Sequence, residues 1–170
     1  MKKGIALVLA MLSSSVLADP AIFGMELGEM TEKDLKSKYS VNHTGTNKYS
    51  NGNMYSVPVS SINFEGLKEV TTIFNTEGKL VAVLTSLPKN KFNYLNETLG
   101  GKYKLISQKI PFVGNKKATY RDGETEITLN APHMGFDMSM NYVNDDLMQA
   151  FNRQSQAETR KKQQSESSQL

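Results

Sequence analysis

His133, Met134, Met138 and Met140 fall within eight positions in the stretch APHMGFDMSMNY, residues 131–142 of a chain with two histidines, nine methionines and no cysteine. Imidazole and thioether are soft donors that suit Cu(I), so these residue types suggest a copper site. Their spacing argues against one. Met134, Phe136, Met138, Met140 and Tyr142 share one parity, while His133, Gly135, Asp137, Ser139 and Asn141 share the other. That alternation is what an antiparallel strand with one buried face requires. In an extended strand the methionines stand on the face opposite His133, with successive Cβ atoms on one face about 7 Å apart. They could meet at one ion only across a sharp bend, so the stretch predicts a core strand and no metal site.

Other chemistries find less support. His43 lies in a polar loop and His133 at a turn, and neither sits near a nucleophile motif such as G-x-S-x-G. Asp145 and Asp146 suit the N-terminus of a helix, Asp122 precedes Gly123 in a tight turn, and Glu124 and Glu126 share the solvent face of a strand. No glycine-rich phosphate loop and no H-E-x-x-H motif occurs. The expectation is a non-catalytic protein with no cofactor. Binding residues are then sought among exposed apolar side chains. Tyr49, in the turn-rich segment 42–53, and Pro111, Phe112 and Val113, in Ile110 to Gly114, are the candidates. The run from Pro111 to Gly114 also reads as a packed turn, which its composition favours.

The elements that must position these residues are legible from pattern. Thr31 followed by Asp34 forms a capping box for a short helix ending near Tyr39. A strand is predicted around Met54 to Ile62, placed at an edge or made irregular by Pro58. Glu69 to Asn75 and Lys79 to Leu87 form a hairpin through Thr76-Glu77-Gly78. In the second of these, Leu80, Ala82 and Leu84 oppose Val81 and Val83, which predicts a central strand covered on both sides. Phe92, Leu95 and Leu99 recur at helical spacing before Gly100-Gly101. Strands follow over 103–111, 116–121 and 124–131, and a last helix capped by Asn144 carries Leu147, Met148 and Phe151. The segment Leu35-x-x-Lys38-Tyr39-x-Val41 is echoed by Leu99-x-x-Lys102-Tyr103-x-Leu105. The fold class is therefore α+β: antiparallel sheet with two or three short helices packed on one face, in a helix-plus-strands order that occurs twice, over 21–88 and 89–151.

The ends set the context. Residues 1–18 carry two lysines, an apolar run from Ile5 to Leu12, and Val16 and Ala18 at the −3 and −1 positions of a cleavage site, the layout of a secretory signal peptide. The expected mature chain starts at Asp19, forms one domain over 19–151, and ends in a polar flexible tail over 152–170. The leading Met-Lys-Lys looks bacterial, so the location expected is the periplasm or the medium. Without cysteine there is neither a disulfide nor a lipid attachment point, and the hydrophobic core must hold about 150 residues together unaided. The whole chain has 20 basic and 17 acidic side chains, and loss of Lys2 and Lys3 lowers the net charge from +3 to +1. No basic face interleaved with aromatics occurs, so nucleic acid is not an expected partner.

Two stretches carry a resemblance. Ile22-Phe23-Gly24-Met25-x-Leu27-Gly28 precedes the capped helix, and Gly78-Lys79-Leu80-x-x-Val83 leads to Phe92-x-x-Leu95-x-x-x-Leu99-x-x-Lys102-Tyr103. Together, over residues 21–142, they resemble small bacterial envelope α+β proteins. The chain is similar in build to the small lipoprotein of the outer-membrane β-barrel assembly machine and to β-lactamase-inhibitor-protein modules. That resemblance implies helices on an antiparallel sheet used for protein contacts, with another envelope protein as partner. The chain departs from it in lacking both the lipid-anchor cysteine and the disulfide cysteines, so it implies no membrane anchor, no inhibitor role and no site residues. The alternative carried beside it is a periplasmic protein that binds a small ligand or a metal.

Overall fold

The computed structural model describes residues 19–169; the expected signal peptide lies outside the described residues. A short hairpin, β1 (Ala21–Ile22) with β2 (Met25–Glu26), leads to helix α1 (Glu32–Lys38). Four strands follow: β3 (Asn42–Thr46), β4 (Asn51–Ser56), β5 (Glu69–Asn75) and β6 (Leu80–Pro88). Helix α2 (Phe92–Gly100) then introduces β7 (Lys104–Lys109), β8 (Lys116–Asp122), β9 (Thr125–Ala131) and β10 (Asp137–Asn144), and α3 (Asp145–Ser167) closes the chain. The fold is α+β. Its main sheet has eight antiparallel strands in the order β3-β4-β5-β6-β10-β9-β8-β7, so two helix-plus-meander halves meet at the β6–β10 pair.

The local chemistry explains each start. Thr31 accepts from the Asp34 amide while the Asp34 carboxylate accepts from the Thr31 amide, completing the capping box. Asn144 caps α3 by accepting from the Asp146 amide at 2.8 Å. Strand β6, bonded to β5 and β10, is central and buried on both faces over its first half, from Leu80 to Val83. Leu80, Val83 and Leu87 enter the main core under α1 and α2, while Val81 and Ala82 enter a smaller cluster with Leu147 of α3. The switch of side is allowed by an irregular register at Ile73/Phe74.

Several expectations are corrected. The segment read as a loop over 42–53 contains β3, an edge strand with the polar sequence Asn42-His43-Thr44-Gly45-Thr46. The strand expected to reach Ile62 ends at Ser56, and Val59–Ser61 form a 3-10 turn after Pro58. Helices α1 and α2 pack on one face as predicted, but α3 crosses the other. Helix α3 also runs to Ser167 where a flexible tail from residue 152 was expected. Beyond Ser155 its side chains are exposed. Its persistence there rests on strong helix formers, Ala157, Glu158, Arg160, Lys161, Lys162, Gln163 and Gln164, and on the Lys48–Glu158 pair at 3.3 Å.

Arg121 of β8 grips Asp145 in the first turn of α3 with two hydrogen bonds of 2.8 Å each. That bond, against a smaller opposing effect of burial, holds the Asp145 carboxyl below its usual range. Arg121→Gln is expected to cost about 1 kcal/mol at pH 7, a figure discounted for solvent screening because the two side chains are 37% and 33% exposed. A depressed carboxylate stabilises the fold above its ordinary pKa and ceases to do so as the pH falls through the folded value. The gap between wild type and variant in urea unfolding should therefore close below about pH 4.

Candidate binding surfaces

One cluster gathers residue types associated with catalysis. Glu32 of α1 accepts from Tyr55 Oη, from Asn53 Nδ2 at 3.1 Å and from Lys36 Nζ at 3.4 Å, and Asn53 Oδ1 lies 3.2 Å from His43 Nε2. Burial alone would raise the Glu32 carboxyl, but these donors outweigh it and hold the group below its usual range. A carboxylate so stabilised is a poor proton acceptor near neutrality. The cluster stitches α1 to the β3–β4 edge, and none of the described cavities borders it. His133 is exposed, and its backbone N–H donates to Asn115 Oδ1 at 2.7 Å. Burial, then Tyr103, pushes the Tyr142 phenol upward and away from ionisation near neutrality. Among the described residues no group of three or more His, Cys, Asp or Glu side chains is arranged to hold a metal.

Surfaces offer more than titratable groups do. The first is a groove of about 300 Å³ between α3 and the sheet, lined by Tyr49, Ile73, Leu84, Val143, Met148 and Phe151 among others. Tyr49 packs edge-on against Phe151 with ring centroids 5.1 Å apart. The helical spacing of Leu147, Met148 and Phe151 announced one wall. The other wall comes from β5, β6 and β10, whose second face showed in sequence only as Ala82 and Leu84 opposing Val83.

The second surface is the part of the same sheet face that α3 leaves open. Strand alternation and register bring Thr71 of β5, Ser86 of β6, Ser139 and Asn141 of β10, Thr128 of β9 and Thr119 of β8 to this side. Ser139 lies opposite Ser86 and Asn141 opposite Thr128. Of these, Ser86, Ser139, Asn141 and Thr128 are half-buried. The middle of the face is rich in hydroxyl and amide groups, with Glu69, Asp137, Asn130 and Lys117 on the same side around it, whereas the opposite face of these strands carries Leu129, Met138 and Met140 into the core.

The third surface is the end of the sheet where β7 turns into β8 and β9 into β10. Phe112 and Val113 of the first turn are exposed, so the packed-turn expectation for Pro111 to Gly114 is overturned. Met134 and Phe136 of the second turn are each 93% exposed, against their predicted place on the buried face. The strand parity holds only from Asp137 onward, where Met138, Met140 and Tyr142 are buried, because residues 132–136 form a turn. The structure thus separates the sequence-derived candidates: Tyr49 lines the α3 groove, while Pro111, Phe112 and Val113 lie at the turn after β7. No family model, curated protein or solved structure matches this chain.

Proposed function

We propose that the protein is a non-catalytic protein-binding module of the bacterial envelope, working in the periplasm or outside the cell, with another envelope protein as its partner. The observation that carries this reading is the open face of the eight-stranded sheet. Helices α1 and α2 cover the middle of one side, leaving edge strand β7 exposed throughout, and α3 covers only part of the other. The remaining side presents short hydroxyl and amide side chains, with Glu69, Asp137 and Lys117 around them, on a hydrogen-bonded backbone. Such a surface loses little rotamer entropy on docking and offers both donors and acceptors to a partner. The signal-peptide pattern in residues 1–18 supports the location. Among the described residues no helix is long and apolar enough to cross a membrane.

A second reading, a small apolar ligand held against the sheet, is favoured by the groove under α3, whose volume of about 300 Å³ is at the lower end for ligand sites. One experiment separates the two. A photo-activatable side chain is placed at Thr128 on the open face, and as a control at Lys33 on the exposed side of α1. Irradiation in the native periplasm is expected to give one discrete protein adduct from position 128 and none from position 33. No adduct at 128, together with an apolar metabolite seen by native mass spectrometry, would replace the first reading with the second.

A further inference from the structure

We propose that the end of the sheet bearing the β7–β8 and β9–β10 turns docks on an anionic phospholipid surface. Four large apolar side chains, Phe112 and Val113 on one turn and Met134 and Phe136 on the other, are exposed there. The register places both turns at the same end: Lys116 pairs with Ala131, and Lys109 with Lys117. The turns are built rather than loose. Asn115 of the first accepts the His133 amide of the second at 2.7 Å. The Lys89 ammonium donates to the carbonyls of Pro132, His133 at 3.0 Å and Gly135, and the Lys89 amide donates to the Phe136 carbonyl at 2.8 Å. Water therefore faces apolar groups that the fold holds outward at a cost it could have avoided by turning them in.

Charge decides what should cover them. Lys109 and Lys117 stand exposed behind the two tips, and neither forms an ion pair among the described residues, while Lys116 lies over the Phe92 ring. Lys109 and Lys117 are direct cross-strand partners, an arrangement of like charges that a sheet disfavours until an anion neutralises it. At the opposite end Arg121 neutralises Asp145, and Asp122 and Glu124 of the β8–β9 turn lie near Asp19. Burial, and then Glu124 and Asp122, raise the Asp19 carboxyl, as expected where negative charge accumulates. The molecule is thus polarised along its strands, with the basic end carrying the apolar tips. A lipid headgroup layer fits this pattern because it accepts single protruding side chains without matching pockets, and adds attraction for each lysine near the surface. A protein partner would need a complementary cavity for each tip.

The test is co-sedimentation of the chain from Asp19 onward, which contains every described element, with vesicles of phosphatidylcholine alone or mixed with phosphatidylglycerol. Binding is expected only to the mixed vesicles, rising with phosphatidylglycerol content and weakening with salt. Phe112→Asp combined with Phe136→Asp should reduce partitioning at least about tenfold. Lys109→Gln and Lys117→Gln should each reduce it about fivefold. Because these side chains are exposed, circular dichroism should show all variants folded. Phe136→Trp should shift its emission to shorter wavelength on mixed vesicles. Equal binding to neutral and anionic vesicles, binding indifferent to the tip variants, or no binding at all would overturn the proposal. So would cross-linking of position 136 to a protein in a preparation that ignores vesicles.

Discussion

Phe74→Ala is expected to destabilise the fold by about 3–5 kcal/mol, a large share of the stability of a domain this size. Phe74 is wholly buried in β5, at the point where the β5–β6 register shifts to face Leu80. Its ring meets Tyr55 edge-on, centroid to centroid 5.8 Å. The surroundings cannot close over a cavity there. The Phe74 carbonyl accepts from Ser50 Oγ at 2.7 Å and sits so near Gly52 that a Cβ on that glycine would lie 2.1 Å from it. With the backbone pinned on both sides, the removed ring leaves a void rather than a relaxed contact, which places the loss toward the upper end. Urea unfolding at neutral pH checks this. A loss below about 2 kcal/mol would mean that β4 and β5 can collapse despite those contacts.

Met138→Ala is expected to cost about 2–5 kcal/mol in the absence of any metal. Met138 is 2% exposed, pairs across the strands with Leu87, and belongs to the same core as Met140. Its thioether is wrapped by hydrocarbon, and His133 sits exposed in the preceding turn. Adding Cu(I) should therefore leave the unfolding midpoint of both wild type and variant unchanged. A loss seen only in copper-loaded protein would restore a soft-ligand site in this strand and contradict the packing account.

The two histidine-methionine readings also show how far a sequence carries. Alternation identified the buried face of β10 correctly at Met138, Met140 and Tyr142, since period two is what a half-buried strand imposes. It failed at Met134 and Phe136 because parity says nothing about where a strand begins. Strand β3 was invisible for the opposite reason: its side chains are polar and mostly exposed, and the β4 backbone ladder holds it at the edge of the sheet. The central position of β6 was legible because a strand covered on both faces must be apolar on both. The extension of α3 was not, because a helix with nothing to bury shows no amphipathic stripe and depends on propensity and surface contacts such as Lys48–Glu158. Of the exposed apolar side chains, Phe112 and Val113 were singled out in the sequence as apolar residues in a turn-rich run. The open face was missed, because Ser86, Ser139 and Thr128 become a surface only when three strands are aligned.

The order of the strands has a kinetic consequence. Within each half, every strand pairs with its neighbour in the chain, through short turns except for residues 57–68 between β4 and β5, so only local closures are needed to form β3 through β6 and β7 through β10. The central seam is different. Thr85 of β6 reaches the Met140 carbonyl of β10 across 55 positions of chain. Closing that span costs about 2 kcal/mol more entropy than a tight hairpin, and the whole second meander must lie between its ends. Two locally assembled ribbons would then form quickly and wait, with the zipping of β6 onto β10 setting the height of the folding barrier.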